Sequence, residues 1–203
     1  MFGDSLVGQP LVKKLLNRLI QEQRIPHAVL LHGPDGSGKV ASALELARTL
    51  HCEREEAGPC ETCRSCTKTR GLNHPDFSVL MPFQARTKEE AARQIQMEVL
   101  RDPYGYPRPE ENLTIPINHV RDLQKRFAYS SFEGSWRTAV IFHADRMRAE
   151  SAHAILKTLE EPPDLSVLIL TAPSPGSLLP TCVSRCQGIK LVSLSVDEVK
   201  EAL

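Results

Sequence analysis

An α/β fold, a parallel sheet covered by helices, is predicted for this chain by three observations. Short apolar runs alternate with amphipathic segments of helical period, the pattern of strands joined by crossover helices. The first run, Ala28-Val-Leu-Leu31, is apolar throughout, as a strand buried on both faces is. Between that run and the helix after it lies a glycine-rich loop, Gly33-Pro-Asp-Gly-Ser-Gly-Lys-Val40. Strand, tight turn and helix in that order aim a helix N-terminus at an anion.

Taken in order, residues 10–23 carry Leu11, Val12, Leu15, Leu16, Leu19 and Ile20 at helical spacing and predict an amphipathic helix. Further strands are predicted at 77–81, 138–142, 166–171 and 188–192, and helices at 40–51, 117–128 and 149–161. Between Gln84 and Pro116 the texture changes. A charged helical stretch, Thr87 to Arg101, gives way to Asp102-Pro-Tyr-Gly-Tyr-Pro-Arg-Pro109, whose prolines forbid regular helix. That segment predicts a surface insertion, partly mobile. The chain stops at Val196 to Leu203 while opening a pattern that reads as a helix, which predicts a piece of a longer protein.

A length of 203 residues fits one large or two small domains with a substantial core. Twenty-five basic and 25 acidic residues cancel, so no global field drives the chain onto nucleic acid, and any DNA contact belongs to a local patch or an assembly. A run of about 18 apolar residues and a signal-peptide pattern are both absent from the sequence, which predicts a soluble, cytoplasmic protein.

Residues 33–40 follow the phosphate-loop pattern Gly-x-x-x-x-Gly-Lys-[Ser/Thr] except at the last position. In that pattern backbone N–H groups surround phosphate oxygens, the lysine reaches the β/γ-phosphates, and the final hydroxyl holds Mg²⁺. Gly33, Gly36, Gly38 and Lys39 are in place, whereas the hydroxyl position is Val40, whose isopropyl group cannot ligate a hard cation. Binding of ATP or ADP is therefore expected to be weak or absent, and hydrolysis is weakened more than binding.

Cys52, Cys60, Cys63 and Cys66 form a C-x7-C-x2-C-x2-C array. Four thiolates suit tetrahedral Zn²⁺, and two-residue gaps let neighbouring sulfurs converge on one ion. Within a reducing compartment such spacing favours metal over disulfides; the competing reading is four reduced cysteines in a loop. Four protein ligands leave no open position for a substrate, so the module at 52–70 is read as structural. Arg64, Lys68 and Arg70 beside it form a basic surface, solvated or in contact with a partner.

Further along, Ile141-Phe-His-Ala-Asp-Arg-Met147 is followed by Ala154-Ile-Leu-Lys-Thr-Leu-Glu-Glu-Pro-Pro163. These stretches resemble the clamp-loader family of AAA+ proteins, in whose active members a hydrophobic strand ends in Asp-Glu-Ala-Asp and a later helix ends in Leu-Lys-Thr-Leu-Glu-Glu-Pro-Pro. Val7-Gly8-Gln9, Arg24-Ile-Pro-His-Ala28, the cysteine spacing and Leu179-Pro-Thr-Cys-Val-Ser-Arg-Cys186 carry the same resemblance. It spans nearly the whole chain apart from 84–116. The resemblance implies an AAA+ P-loop-type domain over 1–192 and the start of a helical lid at 193–203. It further implies partner ATPase subunits of the gamma/tau type, a delta subunit, a sliding clamp and primed DNA, with no membrane.

Aligned without gaps on Lys157, the two catalytic carboxylates of the active members fall on Phe142 and His143. Val40, Phe142 and His143 thus replace the metal hydroxyl, the metal carboxylate and the water-orienting carboxylate together. Asp145 as a displaced metal ligand and His143 as a substitute base are the weaker alternatives. The departures predict the non-hydrolysing member of the loader. In that reading Arg185, the arginine of the family's Ser-Arg-Cys signature, acts in trans as an arginine finger on a neighbour's ATP. Two readings compete: an active gamma/tau-type ATPase with degenerate motifs, and a zinc-dependent nucleic-acid-binding protein on a vestigial nucleotide fold. Phe142 and His143 speak against the first, and neutral charge with sparse aromatics against the second.

Overall fold

A computed structural model describes residues 6–54, 58–84, 86–106, 109–110, 112–128, 131–133 and 136–202. Residues 55–57 of the predicted metal module, Pro107 and Arg108 of the proline-rich run, and Leu203 lie outside the described residues.

The elements run α1 (Pro10–Gln21), β1 (Ala28–His32), α2 (Lys39–His51), α3 (Arg64–Arg70), β2 (Phe77–Leu80), α4 (Glu89–Arg101), α5 (Ile117–Ala128), β3 (Arg137–Ile141), α6 (Ala149–Glu160), β4 (Ser166–Ala172), α7 (Pro180–Val183), β5 (Gln187–Lys190) and α8 (Val196–Ala202). The five strands form one sheet in the order β2-β3-β4-β1-β5, with every neighbouring pair parallel. Val29 lies opposite Ile169 and Gln187, and Val140 opposite Ile169 and Val79.

Strand side chains alternate between two apolar layers. Val29, Leu31, Val140, Phe142, Val167 and Ile169 join α1, α2 and α4 in one layer. Leu30, Ala139, Ile141, Leu168 and Leu170 meet α5, α6 and α7 in the other. Because both faces of β1, β3 and β4 are covered, their residues are buried almost without exception. Helix α6 stops before Pro162 and Pro163, since a residue ahead of proline is pushed out of the α region.

Three features differ from the sequence-based expectation. Arg137, left out of the predicted strand, opens β3 and is buried. Its guanidinium donates to the Phe127 carbonyl at 2.5 Å, lies 3.9 Å from the Asp76 carboxylate and stacks over the Phe127 ring. Helix α3 arises in the cysteine segment because Cys63 caps it, its sulfur accepting the Cys66 amide. The Gln84–Pro116 segment lies on the surface only in part. Helix α4 buries Ala92, Val99 and Leu100 against the sheet, Ile115 is fully buried, and a bridge between Phe83 and Thr114 closes the base of the segment.

Candidate functional site

The carboxyl ends of β1, β3 and β4 point to one edge of the sheet, the edge where open α/β folds place ligands. The Gly33–Val40 loop leaves β1 there. Its geometry needs the glycines: a Cβ at Gly33 would run into the Leu191 carbonyl, and Gly36 and Gly38 stand at φ 76° and 82°. Gly38 is the N-cap of α2. Lys39 is buried, and its ammonium donates to the carbonyls of Gly33 (2.8 Å) and Pro34 (2.6 Å), with the Asp35 carboxylate at 3.8 Å. Val40 points into the apolar layer beneath the loop.

Next along the edge, Phe142 follows β3 directly and is fully buried in the same layer as Val40. His143 stands in the left-handed region at φ 48°, and its backbone N–H donates to the Thr171 hydroxyl at the end of β4 (2.9 Å). Asp145 sits in the following 3-10 turn, 3.7 Å from the Arg146 guanidinium. The loop, the strand end and Thr171 are thus brought together, and the strand end presents an apolar ring where the resemblance expects a carboxylate.

On the other side of the loop, Gln9 is buried in the left-handed region and joins three segments. Its amide donates to the carbonyls of Ser37 (3.1 Å) and Val192 (2.6 Å) and accepts the Val192 amide (3.2 Å). Two residues that sequence reasoning missed complete the cleft. The Tyr104 ring lies over Gly38 and its hydroxyl accepts the Val7 amide at 2.8 Å. The Tyr106 ring packs against Phe142 and His143, with centroids 6.2 and 5.5 Å away. The available signal was two tyrosines, bracketed by Asp-Pro and Pro, in a polar stretch of a chain with 5% aromatic residues.

The four cysteines converge at some distance in the sequence from this cleft. Their sulfurs all lie within 4.8 Å of one another, with Cys60 and Cys66 at 4.0 Å. Tetrahedral zinc–thiolate bonds of about 2.3 Å put sulfurs roughly 3.8 Å apart, so the donor set fits the ion. Backbone amides of Cys60, Cys63 and Cys66 donate to the sulfurs of Cys52, Cys60 and Cys63 at 3.3–3.4 Å, orienting them and favouring thiolates. The Thr62 and Cys63 amides hold the Cys60 thiol down, at about 6, whereas burial pushes the thiols of Cys52 and Cys66 up. The module is fastened to the sheet through histidines. Ser65 of α3 is 3.2 Å from the ring of His74, which packs tilted against His51 (centroids 4.3 Å apart), which in turn meets the Thr138 hydroxyl of β3 at 2.9 Å.

Arg185 lies remote from both sites, in the turn between α7 and β5. It is half-buried, paired with Glu160 at the end of α6 (2.8 Å) and donating to the Thr181 carbonyl (2.9 Å).

The parallel sheet in this strand order, with a glycine loop between β1 and α2, places the chain in the AAA+ class of P-loop folds. Solved structures agree at the level of fold. The chain is similar to a DNA polymerase III gamma-subunit-related protein of Thermotoga maritima (TM-score 0.57, 22% identity, 93% of this chain and 47% of that one). It is also similar to the RuvB Holliday junction branch migration motor of the same organism (TM-score 0.52, 16% identity, 97% and 49%). Within that class, the family model described as "DNA polymerase III, delta subunit" matches residues 8–195, and the chain belongs to that family. Among curated proteins it resembles DNA polymerase III subunit delta' of Bacillus subtilis, 32% identical over 195 residues, 96% of this chain and 51% of the relative. The delta' subunit of Pseudomonas aeruginosa is 35% identical over 161 residues, 79% and 41%. Subunit tau of Escherichia coli is 29% identical over 203 residues, 100% and 27%. The chain spans about half the length of the curated delta' relatives it matches. Among the described residues, no helix is long and apolar enough to cross a membrane.

Proposed function

We propose that this chain is the non-hydrolysing, delta'-type subunit of a bacterial replicative clamp loader. In this role it assembles with gamma/tau-type ATPase subunits and a delta subunit, and the assembly loads a sliding clamp onto primed DNA. The observation that carries the reading is the way Val40 and Phe142 are built into one apolar layer, with His143 held by its backbone to Thr171. Phosphoryl transfer relies on metal-mediated neutralisation of charge, and the positions that would hold the metal and orient water are here packing residues. The cysteine module would hold one structural Zn²⁺ through Cys52, Cys60, Cys63 and Cys66, which contributes local folding energy.

The remaining chemical role falls to Arg185. A planar guanidinium that stays charged suits the charge spread over a transferring phosphoryl group, and fingers of this kind supply about 10³–10⁵ in rate. Arg185 is half-buried, tied to the chain by Glu160, the Thr181 carbonyl and the Ser184 hydroxyl, contacts that a neighbour's phosphate could replace so that its fork is redirected. The test uses the full-length protein assembled with active subunits, clamp and primed DNA. Arg185→Ala is expected to leave assembly intact and to lower DNA-stimulated hydrolysis at the adjoining site alone. Normal hydrolysis and loading by the mutant assembly would remove Arg185 from the mechanism. Metal-dependent single-turnover hydrolysis by the subunit alone, abolished by Lys39→Ala, would instead favour the gamma/tau-type reading.

A further inference from the structure

The nucleotide cleft of an NTPase fold is a trough running from the segment before β1, over the glycine loop, to the end of the catalytic strand. Here two side chains from one short stretch of the chain, Tyr104 and Tyr106, meet the loop and the strand end. Tyr104 holds the Val7 amide through its hydroxyl, 97 residues away in sequence, and lays its ring over the loop: a Cβ at Gly38 would stand 3.5 Å from Cε1. Two residues on, Tyr106 closes the far end against Phe142 and His143. The connection between them is held by one hydrogen bond. The Asp102 carboxylate accepts the Gly105 amide at 2.8 Å, and a Cβ at Gly105 would collide with that carboxylate. Beneath the strap, Lys39 is turned inward onto the Gly33 and Pro34 carbonyls.

We infer that residues 102–106 are an internal ligand of the degenerate phosphate loop, a strap that lies where a nucleotide would and ties the amino-terminal segment to the loop in its stead. The inference rests on reading residues 33–40 as a phosphate loop, and it is separate from any role of Arg185. The two tyrosines divide the work. Tyr106 is packed into the core layer, whereas Tyr104 is 42% exposed, with one face on the loop and the other in water. Tyr104 is therefore the displaceable end. A ligand that needs the strap open binds more weakly by the fraction of time the strap is open, so a strap closed for about nine-tenths of the time weakens nucleotide tenfold.

Binding of a fluorescent ADP analogue, with and without Mg²⁺, to the full-length protein tests this. Tyr104→Ala is expected to tighten binding at least tenfold, about 1.4 kcal/mol in apparent affinity, and adding Lys39→Ala to cancel the gain. Tyr104→Phe, which keeps the ring and loses only the hydrogen bond to Val7, is expected to fall between. Equal dissociation constants for wild type and Tyr104→Ala would overturn the inference. If neither binds, amide hydrogen exchange decides it. Tyr104→Ala must then raise exchange at Val7 at least tenfold with the sheet amides unchanged, and unaltered exchange at Val7 overturns the strap.

Discussion

Restoring the first carboxylate of an active AAA+ strand end, Phe142→Asp, is expected to cost this chain most of its stability. Phe142 has no exposed surface and packs with Val40, Val140 and Tyr106. Truncating such a phenylalanine to alanine costs about 3–5 kcal/mol in lost transfer and cavity energy. A carboxylate there is also desolvated, and a rise of about three units in its pKa adds roughly 4 kcal/mol at pH 7. The sum rivals the whole stability of a domain, typically about 5–15 kcal/mol. Two companions keep the measurement interpretable. Phe142→Leu is expected to cost less than about 1.5 kcal/mol. Phe142→Asn introduces the same shape as the aspartate without its charge. With the folded pKa raised, the unfolded chain releases the proton first. The aspartate variant therefore loses ground to the asparagine variant as pH rises above about 4, by up to about 1.4 kcal/mol per unit. Urea unfolding followed by far-UV circular dichroism at pH 5 and pH 7.5 reads both effects. An aspartate variant within about 2 kcal/mol of wild type, with no pH dependence against asparagine, would refute the claim that this strand end has become core.

Elemental analysis of protein purified without chelator should find one zinc per chain. Cys66→Ser should lose it and open residues 52–70 to protease while the far-UV spectrum of the sheet persists. His51 should shape the acid limb of the stability curve. Burial, and then the neighbouring His74, hold its pKa down to about 3, so it stays neutral in the fold while the unfolded chain takes a proton near 6.5. Its contribution is complete above that pH and is lost as pH falls from 6.5 toward 3, about 3 kcal/mol by pH 4.5. In urea titrations at pH 7.5, 5.5 and 4.5, His51→Gln should show a shallower acid slope than wild type, and an identical slope would clear His51 of the effect.

How much of this was legible in the sequence depended on how far apart the interacting residues lie. The strand predicted at 28–31 and the helix at 117–128 follow from local apolar period, and the structure reproduces them within a residue. The metal-ligand cluster was legible because ligand spacing is itself local. Arg137 was not, because a charge reads as a boundary until the Phe127 carbonyl and the Asp76 carboxylate are known to meet it. Helix α3 was hidden because its cap is a cysteine already claimed as a ligand. At the cleft, the glycines and Lys39 announced themselves, whereas Phe142 and His143 stood out only against the clamp-loader pattern. The roles of Tyr104 and Gln9 were hidden, although both residues stood in segments the sequence marked: their partners Val7 and Val192 lie 97 and 183 residues away, and no window of sequence contains both ends.

The strand order has a consequence for how the chain is made. Strand β1 sits between β4 and β5, the last two strands to be synthesised. At ~5–20 residues per second, the roughly 130 residues between His32 and Ser166 keep an apolar strand waiting about 7–27 s before its first neighbour exists. The pairings β3–β4 (Ile141 to Ser166) and β2–β3 (Leu80 to Arg137) join strands much closer in sequence, whereas both pairings of β1 wait for β4 and β5. Half of the sheet therefore assembles on a late-arriving edge, and the Ala28–Leu31 run is the segment a nascent-chain chaperone would be expected to cover in the interval.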